Sequence, residues 1–155
     1  MRSLKRRRNT PPSMLGDIGK TIAFYHLRRH GFLWVLNHVK VRGRSGLLLP
    51  VYGTERGVVE NHYMQLSEAQ RRYLDEQYDA PRGKGYLWDF IGIPSNYSSW
   101  GKPCLIDVKT KRKSTSKIHL KKRDFSLEKS LGFRVLLAIV TLHRNWLYDI
   151  EIREL

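Results

Sequence analysis

Two short segments hold residue types that do chemistry together: Trp88-Asp89-Phe90-Ile91-Gly92 and Leu105-Ile106-Asp107-Val108-Lys109. On a strand, residues two apart share a face, so Asp107 and Lys109 lie side by side while Ile106 and Val108 face the opposite layer. Between the segments runs Pro94 to Pro103, a stretch of Pro, Ser, Asn and Gly that makes a long-tipped β-hairpin the simplest connection. Pairing in that hairpin brings Asp89 toward Asp107, so that two hard oxygen ligands converge. Such a pair suits Mg²⁺, which takes carboxylate, carbonyl and water oxygens and keeps part of its hydration shell for use at a phosphate. Lys109 beside a cation has a reduced proton affinity and can orient or deprotonate a water. The competing reading is that a D-x-K triplet on a strand is only an alternating, solvated face. Against it, apolar Ile106 and Val108 alternate with the charged pair, and Asp89 also sits among apolar neighbours.

The elements that must position these residues are an α/β set. Leu15, Ile18, Ile22 and Tyr25 recur at helical spacing after Ser13, with Ser13 or Asp17 as N-cap and Gly31 as the stop. Phe32 to Val39 reads as a strand entering the core, ended by Arg42-Gly43-Arg44. Ser67 with Gln70 is a capping-box signature for a helix through about Tyr78. Tyr86 to Ile93 and Cys104 to Lys111 are the hairpin strands. A short helix near Asp124 to Leu131 stops at Gly132, and Phe133 to Leu142 and Leu147 to Glu154 are two further strands. The domain reading is a loose basic arm over residues 1–12, then one domain over 13–155 with an insert at about 45–85.

Length and composition agree. The 155 residues, 41% hydrophobic and 28% charged, suit one globular domain with a core. The unusual quantity is charge: 29 Lys and Arg against 14 Asp and Glu give +15, which points to a polyanion, with nucleic acid foremost. From Lys109 to Arg123 stand eight basic residues and no acid: Lys109, Lys111, Arg112, Lys113, Lys117, Lys121, Lys122 and Arg123. This run begins at the proposed chemistry, so Lys111 to Arg123 are candidate phosphate contacts, with Arg42 and Arg44 as second anchors. Tyr97 and Trp100 in the hairpin loop either stack on bases or bury at a contact or over the core. One cysteine, Cys104, permits no internal disulfide and fits a reducing, intracellular setting. No apolar run approaches a membrane span, the longest being Val135 to Val140. Gly19-Lys20-Thr21 is not a phosphate-binding loop, because the first glycine would fall at Met14. His26 and His30 lack a third ligand at suitable spacing.

The order of elements, with Asp89 opening the hairpin and Asp107-Val108-Lys109 closing it, resembles the PD-(D/E)XK nuclease superfamily of restriction enzymes, archaeal Holliday junction resolvases and some homing endonucleases. Trp88 replaces the usual Pro. The resemblance also implies an acid on the first helix in a Gly-Asp-x-Gly-Glu context, and here the chain reads Gly16-Asp17-Ile18-Gly19-Lys20, with Lys20 at the Glu position. Asp17 is then the candidate third acid, ahead of Glu60. What the resemblance implies is a restriction-endonuclease-like α/β core, a central mixed sheet flanked by helices, and a Mg²⁺-dependent DNA endonuclease in which Mn²⁺ substitutes. Asp89, Asp107 and the Val108 carbonyl would hold the metal and Lys109 would position the nucleophile. Cutting both strands of a duplex or junction would need two protomers, so a homodimer or larger homo-oligomer is expected. The rival reading is a non-catalytic, basic nucleic-acid-binding protein in which Lys20 marks the loss of the metal site.

Overall fold

A computed structural model describes residues 12–38, 48–50, 65–81, 84–95, 97–112 and 123–155. The basic arm, Glu60 and the proposed phosphate contacts Arg42, Arg44, Lys113, Lys117, Lys121 and Lys122 lie outside the described residues. The elements are α1 (Pro12–Arg29), β1 (Phe32–His38), β2 (Leu48–Pro50), α2 (Glu68–Asp79), β3 (Phe90–Pro94), β4 (Cys104–Lys111), α3 (Ser126–Ser130), β5 (Arg134–Leu142) and β6 (Tyr148–Glu154). Five substantial strands and the three-residue β2 form one mixed sheet in the order β2-β1-β3-β4-β5-β6. Among the described strands only β4 and β5 are parallel, with α3 between them in sequence; the other neighbours are antiparallel. The sheet is the mixed one expected from sequence, and helices pack against it. No helix among the described residues is long and apolar enough to cross a membrane.

Alternation along β3, β4 and β5 splits the core into two layers. Phe90, Cys104, Ile106, Val108, Leu136, Ala138 and Val140 pack with Ala23 and Leu27 of α1. Ile91, Ile93, Leu105 and Val135 turn to the opposite face and pack with Tyr73 and Leu74 of α2 and with Trp88. Each Val, Leu, Ile or Phe among them, taken fully from water, contributes about 1.5–3 kcal/mol before entropy is charged against it. The contact face of α1 differs from the expected one. Tyr25 is half exposed, and the fully buried stripe is Gly19, Ala23 and Leu27, four residues apart. Small residues bring the helix axis close to the strand, so burial here follows from proximity more than from side-chain size.

The helix boundaries follow local chemistry. Gly31 ends α1 at φ 101°, a left-handed conformation that costs glycine little. Ser67 caps α2: its hydroxyl accepts from the Gln70 amide at 3.1 Å, and the Gln70 carboxamide oxygen accepts from the Ser67 amide at 2.9 Å. The Gln70 side-chain nitrogen also donates to the Leu131 carbonyl at 3.0 Å, so the cap ties α2 to the end of α3.

Candidate active site

β4 is buried from Cys104 through Val108 and comes into solvent at Lys109. The expected hairpin forms, with Phe90 opposite Ile106 and Gly92 opposite Cys104. One boundary is corrected: the segment from Tyr86 to Asp89 is not strand, and β3 starts only at Phe90. The reason is visible in the hydrogen bonds. The Tyr86 amide donates to the Gln77 side-chain oxygen on α2 at 2.8 Å, and the chain bends at Asp89. Beyond Ile106, therefore, the β3 side of β4 has no strand beside it. Asp89 fills that gap, its Oδ2 accepting the Val108 N–H at 2.7 Å. In a strand the N–H and C=O of one residue point to the same edge, so the Val108 carbonyl also faces the gap.

The ladder ends at Phe90 and Ile106, and just beyond it the Asp89 amide hydrogen-bonds to the Asp107 carboxyl, which brings the two acids together. Asp107 shares its face with Lys109, as its parity on the strand requires. Its carboxyl is nearly sealed, 8% exposed. Burial first, and then the facing Asp89 carboxylate, push the Asp107 pKa above the usual carboxylate value; the Tyr86 hydroxyl, the Lys109 ammonium and the Asp89 amide pull the other way. Tyr86 donates its hydroxyl to Asp107 Oδ2. Burial and that acceptor hold the phenol well above its ordinary pKa, so it serves as a donor and not as a base. The Tyr86 ring in turn lies under the Arg123 guanidinium, 3.9 Å from ring centroid to carbon, with Trp88 and Phe125 closing the rest of the cage.

From the other layer, Gly19 presses against Thr110 so closely that a Cβ there would lie 2.8 Å from the Thr110 Cβ. This contact seats the next residue, Lys20, at the gap. Its ammonium is 3.2 Å from Asp89 Oδ1, with the Lys20 side chain about half exposed at 48%. Asp89 is thus held twice, by the Val108 amide at the strand edge and by Lys20 from the α1 face of the sheet.

The sequence-predicted residues divide accordingly. Asp89, Asp107, Val108 and Lys109 come together. Asp17 is exposed on α1, and its backbone carbonyl accepts the Thr21 hydroxyl at 2.9 Å. No group of three or more His, Cys, Asp or Glu side chains is arranged to share an ion among the described residues, so Asp17 does not join the pair. Lys111 closes β4 and Arg112 follows it at the site end of the sheet. Arg123 is engaged inside the molecule: besides its aromatic cage it lies 3.9 Å from Glu128 Oε1, a buried carboxylate. Trp100 caps the core, stacked on Phe32 with centroids 5.6 Å apart and its indole N–H donating to the His30 carbonyl at 3.1 Å, whereas Tyr97 is wholly exposed. Tyr86 is the site residue that sequence reasoning missed. Its signal was an aromatic three residues before Asp89, which periodicity assigned to the strand.

Compared with models of known protein families, with curated proteins and with solved structures, the chain matches none.

Proposed function

We propose that the chain is a metal-dependent DNA endonuclease of the PD-(D/E)XK kind, hydrolysing phosphodiester bonds at the gap between β3 and β4. The observation that carries this reading is the convergence of Asp89, Asp107 and Lys109 on one break in the sheet, with the Val108 carbonyl on the adjoining edge. The donor set fits Mg²⁺: two carboxylates and a backbone oxygen, all hard. Bound there, Mg²⁺ or Mn²⁺ supplies Lewis acidity at a phosphate oxygen. The chain's own part is then as follows. Asp89 and Asp107 would hold the ion, Tyr86 fixes the Asp107 carboxylate by its hydrogen bond, and Lys109 would orient the attacking water and neutralise charge developing on the phosphate. The restriction-endonuclease-like assignment of the fold belongs to this proposal as well. It is supported by the order helix, strand, hairpin, short helix, strand, and by the hairpin carrying the acidic residues.

DNA is the proposed partner, supported by the net charge of +15 and by the direction of the strands. β1 and β4 both run toward the site end of the sheet. The described chain therefore ends after β1 at His38 and after β4 at Arg112 on the side of the sheet that carries the proposed chemistry, and Arg42, Arg44, Lys113, Lys117, Lys121 and Lys122 follow those two points in the sequence. Two-strand cleavage would require a homodimer, each protomer cutting one strand.

A second reading has its own observation. Lys20 already neutralises Asp89, as expected of a site retained for binding without chemistry. Labelled four-way junction, duplex and single-stranded DNA incubated with Mg²⁺, Mn²⁺ or EDTA separates the two. Cutting that needs metal and disappears in Asp107→Asn and Lys109→Ala is the result expected. Retarded but uncut DNA in every lane would replace the nuclease by the binding protein.

A further inference from the structure

The site has a charge balance that bears on how many ions it takes. Two carboxylates, Asp89 and Asp107, face two ammonium groups, Lys20 and Lys109, so the cluster is neutral before any metal enters. A single divalent ion makes it a net dication, which suits an anionic phosphodiester. A second ion would double that excess positive charge, and no third acidic side chain among the described residues is placed to hold it. Repulsion between a second ion and the Lys20 ammonium, both close to Asp89, opposes it further.

Building on the nuclease reading, we infer that Lys20 is the site's own second cation: its ammonium takes the place of a second divalent ion beside Asp89 and contacts the reacting phosphate, so that the chain works with a single Mg²⁺. The placement is specific. Lys20 reaches the gap only because Gly19 packs without a side chain on Thr110, which puts the next α1 position at the strand edge, and because β3 begins too late to cover Val108. An ammonium on a long, half-exposed stem can move from Asp89 to a phosphate oxygen when DNA arrives, exchanging one anionic partner for another.

The role has a signature that a structural ion pair lacks. Removing the Lys20 charge relieves repulsion on the resident ion and at the same time takes a cation from the phosphate. Lys20→Gln should therefore bind Mn²⁺ about tenfold more tightly yet cleave about a hundredfold more slowly. Lys20→Glu, which adds a third carboxylate, should take up a second Mn²⁺ per chain. The experiment counts bound Mn²⁺ by electron paramagnetic resonance on the full-length protein without DNA, for wild type and both variants, and follows cleavage of labelled DNA in parallel. The expected result is one ion on wild type and two on Lys20→Glu, with tighter binding and slower cutting by Lys20→Gln. Two ions on wild type, no added ion on Lys20→Glu, or a Lys20→Gln protein with unchanged affinity and rate overturns the inference while leaving the nuclease standing. Absence of both Mn²⁺ uptake and cleavage in wild type removes the nuclease reading, and this inference with it.

Discussion

Gly19→Ala is the sharpest test of how α1 delivers Lys20, because the structure fixes its magnitude. The added Cβ would lie 2.8 Å from Thr110 Cβ and 2.9 Å from its Cγ2, with the hydroxyl nearer still, against an ordinary contact that begins at 3.4 Å. Clearing the Thr110 Cβ alone takes a helix retreat of roughly 0.6 Å (3.4 less 2.8 Å), the nearer hydroxyl demands more, and the buried stripe through Ala23 and Leu27 retreats with it. Overpacking of this kind costs about 1–3 kcal/mol. Three atoms closer than 3.0 Å put this case in the upper half of that range, about 2–3 kcal/mol; alanine returns about 0.5–1 kcal/mol over glycine in a helix interior, which leaves a net loss of about 1–2.5 kcal/mol. Urea unfolding followed by tryptophan fluorescence measures it, and a thermal scan should show Tm lower by about 3–6 °C. Thr110→Ala removes the hydroxyl and methyl that meet the new Cβ, so the double-mutant cycle should show a favourable coupling of about 1 kcal/mol. Displacing α1 also draws Lys20 from Asp89, so Mn²⁺ affinity should rise in Gly19→Ala as in Lys20→Gln. A Gly19→Ala protein as stable as wild type, or more stable, would refute the close approach of α1 to β4 and the seating of Lys20 that depends on it.

Two further expectations concern groups inside the core. Tyr86→Phe removes the donor that orients the Asp107 carboxylate, and metal affinity should fall about 10- to 100-fold with the fold intact; isothermal titration with Mn²⁺ checks it, and unchanged affinity would detach Tyr86 from the site. The Cys104 thiol is fully buried and burial pushes its pKa up to about 12 from 9.0. It should therefore ignore a thiol reagent at pH 8 in the native protein and react on unfolding. Above pH 9 the unfolded thiol ionises while the folded one keeps its proton, so the folded state binds more protons and its stability falls as pH rises toward 12. The stability advantage of wild type over Cys104→Ala should narrow by up to about 1.4 kcal/mol per pH unit in that window, and a constant gap would contradict the burial.

Much of the fold was legible because local chemistry agrees with the tertiary outcome. Cys104 to Lys111 is rich in β-branched and apolar residues and alternates cleanly at Ile106, Asp107, Val108 and Lys109, so both its limits and its faces follow from the sequence. Ser67 and Gln70 declare the start of α2 by satisfying each other's amides. What the sequence hid depends on distant partners. Tyr86 to Asp89 carries strand-like residues, yet Gln77 takes the Tyr86 amide and Asp89 supplies a carboxylate where a ladder partner would be. The buried face of α1 escaped a hydrophobic reading because glycine and alanine make it. Lys20 was visible as a basic residue where an acid was expected, but its position against Asp89 needed the Gly19 contact, and the Arg123 cage over Tyr86 brings together residues 37 positions apart in the chain.

The arrangement separates affinity from chemistry. At the gap, Asp89 and Asp107 balance Lys20 and Lys109, so before a metal enters the site itself would add little net attraction for a polyanion. The excess charge of the chain resides elsewhere, and an important part of it follows β4 directly, from Lys111 and Arg112 into Lys113, Lys117, Lys121 and Lys122. The chain returns to the described structure at Arg123, whose guanidinium is committed to Tyr86, Trp88, Phe125 and Glu128. That anchor rests on the same tyrosine that donates to Asp107. The basic segment is therefore tethered at both ends to the site, at Lys109 through the strand and at Arg123 through the Tyr86 ring. On the nuclease reading, phosphate contacts along the segment would supply the salt-dependent part of binding, and the two described ends would limit where those phosphates lie relative to the two carboxylates. Loosening the tether with Arg123→Ala should leave most of the basic charge in place and so cost little affinity, but it should blur the position at which DNA is presented to Asp107 and Lys109.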